Sequence, residues 1–336
     1  MESEMKFLVI GLGSMGKRRV RNLQSLGMQH VAGFDPRTDR QQEASSRHGI
    51  TVFGDFETAV QSFQPDVFVI STPPDRHMQY AYLAMERGIH AFIEASVVEV
   101  DKVRQLASRV RGGQTVIAPS CTMRYFPGPR KIKDLLAQQA IGQVLNVNYQ
   151  TGQYLPDWHP WEDIRDFYVS KRETGAAREI VPFELAWLND LFGVPQALAC
   201  VKAKLTDLPA DIDDIYHCLM RYDGRVLCNM TVEVISRPVA TREMRILGTE
   251  GEIVFSADGN SVRHTHVSMK EWKEFKFSQG TVEKQYINPE EPYIAEMKDF
   301  VAAVTAKDAS IFPNSLEDDC LVLDTLNALE ALSNCL

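Results

Sequence analysis

Gly11, Gly13 and Gly16 form the run Gly11-Leu-Gly-Ser-Met-Gly16, directly after the apolar stretch Lys6-Phe-Leu-Val-Ile10 and before a helical pattern reaching about Leu26. That spacing suits a dinucleotide. The first glycine permits a tight turn, the second lets the backbone approach a pyrophosphate, and the third lets the helix pack on the strand. Amides at the helix N-terminus, with Ser14 and Met15 in the turn, then face the phosphates. Asp35 ends the next strand-like run, 19 residues beyond Gly16. A carboxylate there accepts hydrogen bonds from the adenosine ribose and repels a 2′-phosphate, which favours NAD over NADP. Arg37 points the other way, because its guanidinium could receive a 2′-phosphate. The same glycines also suit a turn without a ligand. A second concentration of polar groups lies at Tyr154-Leu-Pro-Asp-Trp-His-Pro-Trp-Glu-Asp-Ile-Arg-Asp-Phe-Tyr168.

These groups need elements to position them. Through the first 118 residues, apolar runs at 6–10, 30–34, 50–53, 67–70, 89–93 and 115–118 alternate with helical stretches, three of them closed by Gly27, Gly49 and Gly88. Strands alternating with helices at this spacing predict βαβ units and a parallel sheet. Asp75 is the predicted N-cap of a helix running to Arg87. After about residue 125 the pattern changes. Asn146–Tyr154 and stretches from 197 to 276 alternate in strand fashion, with turns at Asp223-Gly224, Glu250-Gly251 and Asp258-Gly259. This predicts a largely antiparallel sheet with one face open. Helical segments are expected near 127–139, 176–192, 292–306 and 316–333. The expected fold is α/β: a dinucleotide-binding domain over 1–122 and an α+β domain over 123–336, divided near Pro119, Pro127 and Pro129.

Composition narrows the function classes. The 336 residues suggest about two domains. The net charge of −9 argues against a nucleic-acid partner, whose affinity needs Lys and Arg opposite phosphates. No apolar run approaches the roughly 18–20 residues of a membrane span. The acidic start Met1-Glu-Ser-Glu4 does not resemble a signal peptide. The six cysteines contain no Cys-x-x-Cys pair, so reduced thiols and a cytoplasmic protein are expected, with no metal site.

At Ser71-Thr-Pro-Pro-Asp-Arg-His77 the chain resembles the Thr-Pro-Pro-x-x-His segment of the glucose–fructose oxidoreductase/inositol dehydrogenase (Gfo/Idh/MocA) family. Ala84-Met-Glu-Arg-Gly-Ile-His90, Arg124-Tyr-Phe-Pro127 and Arg245-Ile-Leu-Gly-Thr-Glu-Gly-Glu252 extend the resemblance over almost the whole sequence. It implies a Rossmann domain followed by a domain with an open antiparallel sheet. It also implies NAD(P) as cofactor, sugars or sugar derivatives as substrates, and homodimers or homotetramers built on the open sheet face. Ser71, Thr72, Pro73 and His77 would line the cofactor. Glu94, at the end of the fifth strand, would orient the nicotinamide ribose. His77 suits packing at the helix start equally well.

The sequence departs from the family where the chemistry should lie. The usual Glu-Lys-Pro is Glu94-Ala95-Ser96, a divergent subgroup pattern that puts Ala95 at the lysine position beside the cofactor. In the second signature, Glu179 falls at the aspartate position and Phe183 at the histidine position. Oxidising an alcohol needs a base, and reducing a ketone needs an acid. Candidates are His159, whose reference pKa is about 6.5, Lys171, which could supply the missing lysine's charge, and Glu179 and Glu184. The two glutamates are about 140° apart on a helix, so they do not share a face. Glu184, between Phe183 and Leu185, would have a raised pKa in an apolar setting. Trp158 and Trp161 could stack on a sugar ring, with Tyr154, Arg165 and Tyr168 in the same loop. Arg124 could bind an anionic substrate or join the domains. The bland alternatives are a solvent-side loop pinned by tryptophans, a solvated turn at Lys171-Arg-Glu173, and salt-bridged glutamates.

Three function classes follow. The leading one is an NAD(P)-dependent oxidoreductase acting on a secondary alcohol or ketone of a sugar, sugar nucleotide or sugar acid. The others are an NAD-retaining epimerase or lyase with no net redox change, and a non-catalytic NAD- or sugar-binding regulator.

Overall fold

The computed structural model describes residues 5–223 and 225–333. The chain divides into two compact units, one formed by residues 1–122 with 280–320, the other by 123–279 with 321–336. The expectation of 123–336 as a single domain is corrected here. Residues 280–320 pack with the first unit, a long-range return with no local sequence mark.

In the first unit, β1 (Lys6–Ile10), β2 (His30–Phe34), β3 (Thr51–Phe53), β4 (Val67–Ile70), β5 (His90–Ile93) and β6 (Ile117–Pro119) form one parallel sheet in the order β3-β2-β1-β4-β5-β6. The connecting helices are α1 (Ser14–Ser25), α2 (Thr38–His48), α3 (Phe56–Phe63), α4 (His77–Arg87) and α5 (Val100–Val110). Phe7 to Ile10 and Val67 to Ile70 are fully buried, as strands covered on both faces require. Each such large side chain contributes about 1.5–3 kcal/mol. The order reverses between β1 and β4, and ligands bind at such a switch point, outside the carboxyl ends of the strands. Asp75 is not the N-cap of α4. Pro74–Arg76 forms a short 3-10 turn and α4 begins at His77. Pro73 is extended, with φ −52° and ψ 146°, because Pro74 after it disfavours the helical region for the preceding residue, and this delays the helix.

In the second unit, α6 (Pro127–Ala137), β7 (Val144–Gly152), α7 (Ala176–Phe192), β8 (Gln196–Ala203), β9 (Ile215–Tyr222), β10 (Val226–Glu233), β11 (Thr241–Gly248), β12 (Gly251–Ser256), β13 (Ser261–His266) and β14 (Lys273–Lys276) follow one another. Their sheet runs β14-β13-β12-β11-β7-β10-β9-β8, antiparallel except where β7 meets β10. The pleat sorts β9 cleanly. Tyr216, Cys218, Met220 and Tyr222 are buried on the side of α7, while His217, Leu219 and Arg221 face outward. Helix α8 (Glu291–Ala306) belongs to the first unit, and α9 (Leu316–Ser333) follows it in sequence.

Candidate functional site

The glycine turn of the first unit is fixed by sterics. Gly11 has φ +90°, and a Cβ there would stand 2.6 Å from the Ser71 carbonyl oxygen. A Cβ on Gly16 would stand 1.8 Å from the Gly11 carbonyl oxygen, so the helix can pack this closely only with glycine. No side chain caps the N-terminus of α1, and its first turn carries no acidic residue. Ser14 and Met15 open that helix, and the Ser14 carbonyl accepts a 2.7 Å hydrogen bond from the Tyr286 hydroxyl. A tight turn that excludes side chains and opens an uncapped helix fits a pyrophosphate.

The adenosine side of the turn differs from the sequence expectation. Asp35 is 3% exposed, and each carboxylate oxygen already accepts a backbone N–H, Oδ2 from Leu12 and Oδ1 from Arg37, at 2.8 and 2.9 Å. Each oxygen keeps capacity for a second donor, so a ribose hydroxyl still fits. Arg37 turns its guanidinium onto Asp39, at 2.6 and 3.1 Å, and its hydrogen bond holds the Asp39 carboxyl down at about 2. It is Arg40, one turn along α2, that stands 3.8 Å from Asp35 Oδ2.

At the carboxyl ends of β4 and β5, Glu94 is held by Arg19 through two hydrogen bonds of 2.7 and 2.9 Å and by the Ser71 hydroxyl at 3.2 Å. Arg19 is fully buried and also reaches Glu296 at 2.9 Å. Burial opposes its charge, but the two glutamates outweigh that and raise its pKa. Glu296 in turn accepts from the Ser120 hydroxyl, the Cys121 amide and the Thr122 hydroxyl. Motif reading missed Arg19 and Glu296. No local signal marks them, since Arg19 lies in the basic run Lys17-Arg-Arg-Val-Arg21 and Glu296 is followed by Lys298 and Asp299. His77 bonds the Thr72 carbonyl through Nε2 at 2.9 Å, and burial pushes its pKa below the ordinary histidine range. His77 Nδ1, the Thr72 hydroxyl and the Ser96 hydroxyl are buried without hydrogen-bond partners. Ala95 follows Glu94 half-buried and offers only its backbone.

In the second unit, the polar segment folds as three short 3-10 turns, Leu155–Asp157, Ile164–Asp166 and Tyr168–Ser170, followed by α7. The turns build an aromatic row. The His159 ring lies 5.2 Å from Trp161 and 5.0 Å from Phe167, and Phe167 meets Tyr168 edge-on at 6.1 Å. His159 Nδ1 is also 3.7 Å from Glu162. The Tyr168 hydroxyl donates to Glu179 Oε1 at 2.6 Å. Glu179 Oε2 is buried and has no hydrogen-bond partner. Burial therefore dominates over the hydrogen bond from Tyr168, and pushes this carboxyl up from 4.5 to about 8.

The other candidates are spent on structure. Glu184 is fully buried, but not in an apolar setting as its neighbours in sequence suggested. Its Oε2 accepts from the Tyr149 hydroxyl at 2.5 Å and Trp187 Nε1 at 2.7 Å, and its Oε1 accepts from Arg242 at 2.6 Å. Arg124 donates to the Ala186 carbonyl, which ties the start of the unit to α7. Arg165 pairs with Asp163 on the surface at 2.5 Å. Arg172 bonds Asp211 and Asp213, and Lys171 is exposed. The Trp158 indole donates to the Gln153 carbonyl at 3.3 Å, Trp161 is exposed, and the Tyr154 ring lies 4.6 Å from the Arg237 guanidinium.

Comparison with known proteins agrees with this division. A family model for the NAD-binding Rossmann fold of an oxidoreductase family matches residues 5–116, and the GFO/IDH/MocA C-terminal domain matches residues 130–254. An oxidoreductase of Formosa agariphila is 26% identical over 157 residues, covering 46% of this chain and 49% of that protein. A D-xylose 1-dehydrogenase (NADP(+)) of Hypocrea jecorina is 29% identical over 145 residues, covering 40% and 36%. The chain thus spans half or less of the length of these curated relatives. A crystal structure of an oxidoreductase from Agrobacterium radiobacter with NAD+, L-tartaric acid and magnesium superposes with a TM-score of 0.84 at 14% identity, covering 99% of this chain and 97% of that one. Levoglucosan dehydrogenase with NADH and levoglucosan gives 0.83 at 18% identity, covering 98% and 97%. At such identities the structures establish the fold alone. With family models matched in both halves and a glycine turn that opens an uncapped helix, the chain belongs to the Gfo/Idh/MocA oxidoreductase family and its first unit is an NAD-binding Rossmann domain.

Proposed function

We propose that this chain is an NAD(P)-dependent dehydrogenase or reductase acting on a secondary alcohol or ketone of a sugar, sugar nucleotide or sugar acid. The observation that carries the reading is Glu179, a carboxyl with one buried, unpartnered oxygen and a pKa pushed to about 8. A group that titrates near the working pH serves best as acid and base. A nicotinamide dinucleotide, when bound, supplies the hydride acceptor or donor. In the oxidising direction Glu179 takes the hydroxyl proton at Oε2. In the reducing direction the protonated carboxyl returns it to the carbonyl oxygen. Tyr168 holds Oε1 and so fixes which oxygen is offered. The His159–Trp161–Phe167 row supplies flat apolar surface of the kind that stacks on the faces of a sugar ring. The relatives named for D-xylose and levoglucosan support the sugar class. The test is incubation with NAD or NADP and a panel of sugars, sugar nucleotides and sugar acids, followed by absorbance of the reduced cofactor. Cofactor reduction with at least one of them is expected. A protein that binds neither dinucleotide refutes the proposal. Turnover with no reduced cofactor accumulating would favour the closed redox cycle instead.

The same reading includes self-association through the open sheet. Leu145, Val201, Leu219 and Leu227 are exposed. Leu219 faces Asn229 and Leu227 faces Arg221 on neighbouring strands, so the apolar side chains are interleaved with polar ones. A second copy of this chain covers that face. Light scattering should give a dimer or tetramer for the native protein and a smaller species for Leu219→Asp. A native monomer at micromolar concentration would end the idea.

A further inference from the structure

We infer that Arg40, and not Arg37, sets the choice between NAD and NADP, and that it makes the ribose pocket of this chain tolerant of a 2′-phosphate. The inference rests on the Rossmann assignment and concerns the residues around the second strand end. An aspartate at the end of β2 ordinarily excludes NADP because its charge is exposed to the 2′ position and unopposed. Here neither condition holds. The Asp35 side chain is 4% exposed, and both its oxygens are engaged by backbone amides. A guanidinium nitrogen of Arg40 stands 3.8 Å from Oδ2, so the pair is formally neutral.

The position of Arg40 points to the same ligand atom. A Cβ built on Gly13 would meet only the Arg40 guanidinium, at 3.5 Å from its nearest nitrogen. Arg40 therefore lies beside the glycine at which the backbone is left open to a dinucleotide, and beside the carboxylate that receives the ribose. It is 27% exposed, which leaves it within reach of a ligand from solvent. At 3.8 Å its link to Asp35 is an electrostatic contact, longer than a hydrogen bond. Arg37, the nearer residue in sequence, is turned outward and forked onto Asp39. A 2′-phosphate in this pocket meets a cation that can bind it through paired N–H donors. A 2′-hydroxyl meets the remaining acceptor capacity of Asp35. Both cofactors are accommodated, each by a different member of the Asp35–Arg40 pair.

The test is the dissociation constants of NAD+ and NADP+ measured by calorimetry on the native protein, Arg40→Gln and Arg37→Gln, with melting temperatures to show that each variant is folded. The native protein should bind the two cofactors with constants within about tenfold of each other, a difference of about 1.4 kcal/mol or less. Arg40→Gln should raise the NADP+/NAD+ ratio of constants about tenfold or more, the loss of one charge-assisted contact. Arg37→Gln should leave that ratio within about twofold, as for an exposed ion pair. The inference is overturned if native protein binds NAD+ but discriminates against NADP+ by about a thousandfold, since that is an unopposed aspartate. It is equally overturned if Arg40→Gln weakens both cofactors alike, or if Arg37→Gln shifts the ratio as far. Failure to bind either cofactor would instead refute the dinucleotide site itself.

Discussion

Two positions on the second unit's long helix α7 hold the same residue type in opposite circumstances. Glu179 lies in the first turn of α7, beside the aromatic loop, while Glu184 lies five residues on, under the sheet. Glu184 is the more buried, yet Arg242 opposes its charge and three donors fill its oxygens. Glu179 has one neutral donor, Tyr168, and a second oxygen with none. Depth alone does not prepare a carboxyl for proton transfer. What prepares it is burial without a countercharge, because only then is the charged form penalised more than the neutral one. Glu184 therefore works as a cross-brace linking β7, α7 and β11, and Glu179 as a titrating group.

Substitutions separate the two roles. Glu184→Ala should cost the most stability, about 3–5 kcal/mol by denaturant unfolding, because it strands Arg242 and leaves Tyr149 and Trp187 without an acceptor. Stability within about 1 kcal/mol of native would show that the brace is dispensable. Glu179→Gln should leave unfolding near native but lower kcat about 10²–10⁴-fold, the usual contribution of a positioned acid or base. An unchanged kcat would remove Glu179 from the chemistry. Tyr168→Phe should act more gently and mainly on the pH profile. The tyrosine's hydrogen bond lowers the Glu179 pKa, so its loss should move the limb near pH 8 to higher pH. With native protein, oxidation should rise and reduction fall through that limb as the carboxyl loses its proton. An acid shift in Tyr168→Phe would reverse the assigned sign.

Much of this was legible from residue order, and the illegible part has a common cause. The parallel sheet follows from alternating apolar runs and glycine stops, and the dinucleotide turn from three spaced glycines, of which Gly11 and Gly16 tolerate no Cβ. These are local signals. Glu184 looked apolar because Phe183 and Leu185 flank it, whereas its partner Arg242 lies 58 residues away on β11. Arg19 meets Glu94 and Glu296 across separations of 75 and 277 residues, and no motif encodes that meeting. Arg37 and Arg40 differ by one helical turn. The choice between them depended on whether Asp39 was near enough to capture a guanidinium, which spacing alone does not decide. The segment from Tyr154 to Tyr168 reads in sequence as a polar, aromatic loop, but the orphaned oxygen lies on Glu179, 11 residues beyond Tyr168, and no spacing rule joins the two.

The most direct test is the titration of the Glu179 carboxyl by carbon NMR in the folded protein, with Glu179→Gln to assign the signal. A midpoint near 8 is expected, raised from the ordinary 4.5 by burial without a countercharge. A midpoint between 4 and 5 would mean that Glu179 is ionised and solvated like a surface glutamate, and would contradict its role as the acid and base of this chain.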